Sequence, residues 1–132
     1  MKKQEYTLST QRQGFYNITS KVQKTVEQSE ITDGICVIFC PHTTAAITIN
    51  ENADPDVVDD CLLGLGTAFP DRAEFRHFEG NSSAHLKSGA TGCSQTVIVE
   101  NGVLQLGRWQ GIYFCEFDGP RQRKFWVKVI GG

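Results

Sequence analysis

An uninterrupted run of apolar residues from Ile35 to Phe39 is the feature that most restricts how this chain can fold. It follows the turn signal Asp33-Gly34 and predicts a central strand that is buried on both faces. The chain breaks at Pro41 and then resumes as a second apolar strand, Ala45 to Ile49. This pattern predicts a fold organised around a sheet.

Shorter apolar or alternating segments predict the other strands: Gln4 to Leu8, Gly14 to Ile18, Gln95 to Val99, Val103 to Leu106, Gly111 to Phe117 and Lys124 to Ile130. Glu100-Asn101-Gly102 predicts a hairpin, because Asn-Gly tolerates the positive φ that such turns need. Strands therefore dominate both ends of the chain, and hairpin connections favour antiparallel pairing.

Three helix signals lie between these strands. Thr19 or Ser20 can cap the first helix, Asp54-Pro55 starts the second, and Ser82 or Ser83 can cap the third. The second start is the strongest, since Asp54 suits the N-cap and Pro55 suits the first helical position. Gly64 and Gly66 are expected to end that helix. The chain is predicted to be one α+β domain over residues 1–132, with a mainly antiparallel sandwich or barrel-like core and two to three helices.

Charge and hydropathy exclude some classes of partner. The formal net charge is −2, whereas proteins that bind nucleic acid carry a basic surface. We therefore expect no nucleic-acid partner. No apolar run approaches the length of a membrane span, and the N-terminus lacks an apolar leader, so we expect no membrane partner and a cytoplasmic location. The five cysteines form no CxxC pair and are read mainly as small buried hydrophobes.

Two polar segments flank the Ala45 to Ile49 strand. His42, Thr43 and Thr44 precede it, and Pro41 places the imidazole at a strand end, where functional sites collect. The alternative interpretation is a capped turn. Asn50, Glu51 and Asn52 follow the strand, and capping and ligand orientation are equally good interpretations of them. Gln110 and Arg121 are weaker candidates, for contacting a ligand and for binding phosphate.

The segment from His77 to His85 is the most informative polar stretch. Gly80 permits a sharp bend, so His77, Glu79 and Asn81 need not point apart. If the following helix begins near Ser83, its dipole favours a neutral His85 that can bind a metal or accept a proton. Two histidines and Glu79 suit a divalent ion such as Mg²⁺ or Zn²⁺, and free helix N–H groups suit phosphate. The alternative is a helix cap with two surface histidines.

Nucleophilic catalysis has no signature in this sequence. No GxSxG, P-loop or GxGxxG motif occurs. The polar segments therefore favour a metal or phosphate site over a covalent mechanism.

These segments, in this order, resemble the YjbQ family, also called UPF0047. The matching stretches are His42 to Pro55, Glu79-Gly80-Asn81, Ala84 to Ser88, Gly107 to Ile112 and Cys115 to Arg121. The resemblance implies a compact α+β fold assembled as a homotrimer, with a site near the subunit boundaries that uses the histidines at 42, 77 and 85. Some members resemble secondary thiamine-phosphate synthases, which join hydroxymethylpyrimidine diphosphate to a thiazole phosphate and release pyrophosphate.

Three functions are therefore expected, in order of preference. The first is a thiamine-phosphate synthase-like transferase that binds a small phosphorylated metabolite, in which His42, Glu51, His77 and His85 are catalytic. Substrate contacts are then expected from Thr43, Thr44, Asn50, Asn52, Asn81, Gln110 and Arg121, and metal ligation from His77, Glu79 and His85. The second is a metal-dependent hydrolase of a small phosphorylated or amide substrate that uses the same residues. The third is a non-catalytic ligand-binding trimer.

Overall fold

The computed structural model describes residues 2–132, and within them it contains three helices and eight strands in two antiparallel sheets. This confirms the predicted α+β class. The strands are β1 (Gln4–Ser9), β2 (Gly14–Asn17), β3 (Gly34–Phe39), β4 (Ala45–Glu51), β5 (Ser94–Glu100), β6 (Val103–Leu104), β7 (Gln110–Glu116) and β8 (Gln122–Gly131). The helices are α1 (Thr19–Ser29), α2 (Pro55–Ala68) and α3 (Ser82–Thr91).

The larger sheet has the order β1-β8-β3-β5-β6, so β3 lies at its centre as predicted. Only one face of β3 is fully buried, where Cys36 and Ile38 are completely covered. The prediction of burial on both faces is wrong for this chain. On the outer face, Ile35 lies directly opposite Ile98 and Ile130 on its two neighbours, and these side chains form an exposed apolar row across three strands.

The smaller sheet has the order β2-β7-β4 and packs against the inner face of the larger one. Ile47 and Phe114 meet Ile38 and Phe125 in the shared core, which α1 also enters through Val22. The opposite face of the smaller sheet carries a second apolar cluster that includes residues of α2 and α3. These two helices therefore cover the smaller sheet, and α3 contacts β4 directly.

Helix boundaries show where local signals were sufficient. Asp54 Oδ1 accepts a hydrogen bond from the Asp56 N–H at 2.9 Å, so the predicted start of α2 is confirmed. The predicted end at Gly64 and Gly66 is wrong, because α2 continues to Ala68. Glycine weakens a helix without forcing it to stop, and here packing against the sheet prevails.

The N-caps of the other two helices, Ile18 and Asn81, lie one or two residues before the predicted caps. Asn17 Oδ1 accepts from the Thr19 N–H at 3.0 Å, so Asn17 rather than Thr19 or Ser20 binds the first turn of α1. Asn81 flanks α3, and the helix begins at Ser82. The Asn101-Gly102 hairpin is confirmed, since both residues have positive φ, 53° and 75°. No helix within residues 2–132 is long and apolar enough to cross a bilayer.

Candidate functional site

The loop of residues 40–44 between β3 and β4 holds His42 against β8. His42 Nε2 accepts a hydrogen bond from the Lys124 N–H at 2.9 Å. Burial, followed by the nearby positive charge of Arg123, lowers the pKa of His42 below its ordinary value. The imidazole is therefore neutral at pH 7, and because Nε2 is an acceptor, its proton is on Nδ1. His42 thus offers an N–H donor to a ligand.

A buried ion pair lies beneath this loop. Arg123 donates to both carboxylate oxygens of Glu116, from Nε at 2.7 Å and from a terminal nitrogen at 2.6 Å. The side chains are 6% and 0% exposed. Arg123 also donates to Thr44 Oγ1 at 2.7 Å, and Thr10 Oγ1 donates to Glu116 at 2.5 Å. The pair therefore fixes the end of the loop to the sheet.

The Glu116 carboxylate is stabilised in its charged form. Burial alone raises its pKa, but hydrogen bonds from Arg123, Thr10 and the Asp118 N–H outweigh burial and hold the pKa below its ordinary value. Because the pKa in the folded state is lower than in the unfolded state, the group contributes stability above its unfolded pKa. That contribution is lost as the pH falls through the folded pKa.

The long loop of residues 69–81 and the first turns of α3 bring the other two histidines together. The imidazole rings of His77 and His85 have centroids 5.4 Å apart and lie nearly perpendicular. His77 Nε2 lies 3.9 Å from Glu79 Oε1. Gly80, at φ 74°, makes the bend that the sequence predicted between Glu79 and Asn81.

Asp118 connects this loop to the end of β7. Its Oδ2 accepts from Asn81 Nδ2 at 2.8 Å and from Arg121 at 2.9 Å. Burial raises the pKa of Asp118, but these two donors outweigh it and lower the pKa overall. The carboxylate therefore fixes which way the Asn81 amide faces, because a reversed amide would place its oxygen against Asp118.

These elements enclose one polar cavity of about 370 Å³, which we call the histidine cavity. Its lining includes eight of the residues singled out in the sequence: His42, Thr43, Thr44, His77, Glu79, Asn81, His85 and Arg121. All three histidines of the chain therefore converge. Pro41 and Arg123 complete the lining. The volume falls within the usual range for small-molecule sites.

Glu116, Arg123 and Asp118 were not recognised as parts of this site from sequence. In the sequence, Arg123 is one of several charged residues near the end of a strand, where a solvent-exposed side chain is the ordinary expectation. Its role depends on the pairing of β8 with β3 and on the position of β7 beneath the loop, which no local motif encodes. The only local signal is the Glu116-to-Asp118 run within a stretch already matched to the YjbQ family.

Four other predicted site residues are not brought to the histidine cavity: Asn50, Glu51 and Asn52 lie at the far end of β4, and Gln110 lies opposite Glu51 on β7. Glu51 is seven positions after Thr44, a span of roughly 23 Å at about 3.3 Å per residue. Their hydrogen bonds are local: Glu51 Oε2 accepts from the Ala53 N–H, and Asn52 Nδ2 donates to the Gln110 carbonyl. Within one chain these contacts hold the end of β4 and the turn before α2, whose N-cap is Asp54.

The predicted metal ligands do not form a ready-made site. Among residues 2–132, no three His, Cys, Asp or Glu side chains are grouped closely enough to hold a metal ion. The 3.9 Å between His77 Nε2 and Glu79 Oε1 exceeds the roughly 3.3 Å expected between two ligands of a tetrahedral zinc ion with bonds of about 2.0 Å. Metal binding by His77, Glu79 and His85 would require side-chain rotation.

Known proteins match this chain almost from end to end. UPF0047 protein YugU of Bacillus subtilis is 54% identical over 93% of this chain and 94% of its own length. A UPF0047 protein of Methanocaldococcus jannaschii is 51% identical over 96% of this chain and 93% of its own length. Both relatives are therefore matched over nearly their whole lengths.

Solved structures show the same fold. The crystal structure of an uncharacterised YjbQ/UPF0047 protein from Clostridium acetobutylicum is 57% identical, with a TM-score of 0.93 over 96% of this chain and 98% of that one. A protein of unknown function from Sulfolobus solfataricus gives a TM-score of 0.94 at 33% identity, over 99% of this chain and 97% of that one. The family model for UPF0047 protein YjbQ-like matches residues 4–132. This chain belongs to the YjbQ-like UPF0047 family.

Proposed function

We propose that this protein is an enzyme that acts on a small phosphorylated metabolite in the histidine cavity, as a transferase of the thiamine-phosphate synthase type. The observation that carries the proposal is the convergence of His42, His77 and His85 from three separate segments. They share a cavity of about 370 Å³ with Arg121. Such a concentration of N–H donors suits the oxygens of a phosphate or diphosphate.

The chemistry matches what the cavity offers. The thiazole nitrogen attacks the methylene carbon of hydroxymethylpyrimidine diphosphate and forms a C–N bond, while the C–O bond to the diphosphate breaks and pyrophosphate leaves with the electron pair. The substrate itself supplies the nucleophile, so no activated serine or cysteine is needed. The protein has to stabilise charge on the leaving oxygens. His42 Nδ1–H, the His77 and His85 imidazoles and Arg121 would do this.

The divalent ion on His77, Glu79 and His85 stays a prediction, and no step above depends on it. These side chains are on or beside a loop and are partly exposed, so they have room to rotate. Metal analysis of the purified protein distinguishes the transferase from its main rival. Tightly bound stoichiometric zinc would favour the hydrolase, in which metal-activated water is the nucleophile, whereas loosely held magnesium favours phosphate-transfer chemistry.

Pyrophosphate release from the two purified substrates tests the proposed activity. His85→Ala should lower the rate by at least about 100-fold, because it removes a group positioned to donate a proton or hydrogen bond in the cavity. Leu86→Ala is the matched control, since Leu86 is the next residue of α3, is 42% exposed and is not among the cavity-lining residues. Equal, slow rates for wild type and His85→Ala would reject the assignment.

A homotrimer and a cytoplasmic location are part of the same proposal. The trimer comes from the family resemblance, and the exposed row of Ile35, Ile98 and Ile130 supports self-association, because a monomer rarely exposes a contiguous apolar strip. The five free cysteines are compatible with a reducing compartment.

A substitution on the exposed face of the larger sheet tests the proposed homotrimer. We expect Ile98→Glu to shift the solution mass from trimer toward monomer, because it places a charge in the middle of the apolar row. Light scattering during size-exclusion chromatography measures the mass. Lys24→Glu, on the exposed side of α1, is the control and should leave the mass unchanged. A wild-type monomer would contradict the proposed assembly.

A further inference from the structure

A second cavity, of about 580 Å³, adjoins the histidine cavity. The two share Pro41, His42, Thr43 and His85, so the two imidazoles lie at the boundary between them. The rest of the second lining is mainly apolar or small: Phe39, Cys40, Ser88, Gly89, Gly92 and Cys93. We call this space the apolar cavity. The residues that line only the apolar cavity have no part in the phosphate contacts proposed above.

Glycine at position 89 keeps the apolar cavity wide. Gly89 lies inside α3, where glycine destabilises a helix relative to alanine. A Cβ built on Gly89 would have no heavy atom within 4 Å, so nothing in the packing requires glycine there. Any larger residue would project into open space at the cavity wall. Gly64 in α2 is equally open but does not line the cavity, which makes it a matched comparison.

The walls favour a flat apolar group. The Phe39 ring is held by stacking on Trp126, with centroids 5.7 Å apart and an interplanar angle of 19°. Pro41 adds a rigid apolar surface. Burial raises the pKa of the Cys40 thiol to about 11, so this side chain is uncharged at pH 7. Aromatic rings bury well against such surfaces.

We infer that the apolar cavity binds an aromatic ring of the same molecule whose phosphate is held in the histidine cavity. This inference rests on the proposed function, because the anionic end of the ligand is placed by the histidines. It adds where the ring of the phosphate-bearing substrate lies, with the phosphate-bearing bond located where the cavities meet, beside His42 and His85. A substrate with a phosphate alone would leave the apolar cavity unused.

One aryl phosphate and one alkyl phosphate test the inference, and calorimetry measures their binding. 1-Naphthyl phosphate should bind the wild-type protein about thirty-fold more tightly than methyl phosphate, because burial of roughly 80 Å² of ring surface contributes about 25 cal/mol per Å². Gly89→Leu should remove this preference while methyl phosphate binding is retained. Gly64→Leu, the matched control, should keep the preference.

A second variant keeps the test informative if Gly89→Leu does not fold. Cys93→Phe narrows the cavity from the segment between α3 and β5, and Cys93 is exposed, so the substitution is compatible with folding. It should also abolish the preference for 1-naphthyl phosphate. Equal affinity of the wild type for the two phosphates, or a preference that survives in both narrowed variants, would overturn the inference and leave the proposed function standing. If neither phosphate binds the wild-type protein, the inference and the proposed function are both overturned.

Discussion

Glu116→Ala should lower the free energy of unfolding by about 3–5 kcal/mol, measured by urea denaturation at pH 7. The substitution leaves the Arg123 guanidinium buried without its carboxylate, and an unpaired buried charge is strongly destabilising. Arg123 is 6% exposed and makes two of its hydrogen bonds to Glu116, at 2.6 and 2.7 Å. The remaining contact to Thr44 cannot replace a full negative charge.

The chain contains a matched control for this prediction. Glu74 also pairs with an arginine, Arg72, at 2.8 Å, but both side chains are more than half exposed. Glu74→Ala should leave the unfolding free energy unchanged, since water replaces the lost partner. The double variant Glu116→Leu with Arg123→Met should recover most of the loss, because it removes both charges. Equal stability of Glu116→Ala and Glu74→Ala would contradict a stabilising role for the buried pair.

His42→Phe should lower the turnover of the proposed reaction by about 100- to 1,000-fold, the usual cost of removing one donor to a developing charge. Phenylalanine keeps a ring of similar size, so the edge-on packing of His42 against Phe114, with ring centroids 6.5 Å apart, is retained. The variant loses the N–H donor at Nδ1 and also the Nε2 acceptor that binds the Lys124 N–H. Pyrophosphate release measures the rate, and thermal unfolding shows whether the fold is intact.

A conservative variant shows whether His42 acts as a hydrogen-bond donor or only as a packing residue. His42→Gln restores an amide N–H and should recover part of the lost rate, whereas a packing role would predict that His42→Phe is the better replacement. Because burial and Arg123 lower the pKa of His42, the wild-type imidazole stays neutral at pH values somewhat below its ordinary pKa. Activity that depends on the neutral form should therefore persist to lower pH than for an exposed histidine. A fully active His42→Phe variant would contradict the assigned role.

The fold followed from the sequence wherever a signal was local. Apolar runs and hydrophobic alternation located every strand. The residues at the Asn101-Gly102 and Asp54-Pro55 signals determine the local backbone through φ preference and capping. The end of α2 could not be read in the same way, because continuation through Gly64 depends on packing against a sheet. The exposed outer face of β3 was also missed, since an apolar run cannot tell whether its second face is covered by the same chain or by another.

The site could also be predicted only where a local signal in the sequence marks its residues. Histidines are few in this chain and stand outside the apolar patterns, so His42, His77 and His85 were recognisable individually, and their convergence is the contribution of the fold. Glu51 and its neighbours carry the same polar chemistry but lie at the opposite end of β4. The sequence cannot distinguish the two ends of a strand as locations for a site. The role of Arg123 could not be predicted, because its partners come from the 40–44 loop and from β7.

The placement of the histidines on unlike elements has a consequence for how this protein can diversify. His42 is bound to the strand β8, and His85 belongs to a helix packed on the sheet, so changes near either would disturb the core. His77 and Glu79 belong to the connection of residues 69–81, which has no regular structure. Doubling the length of such a connection costs only about 0.6 kcal/mol. The wall formed by His42 and His85 is therefore constrained by the core. The wall formed by His77 and Glu79 can change in length and sequence at little cost in stability, so related proteins can differ there in the substrate they accept.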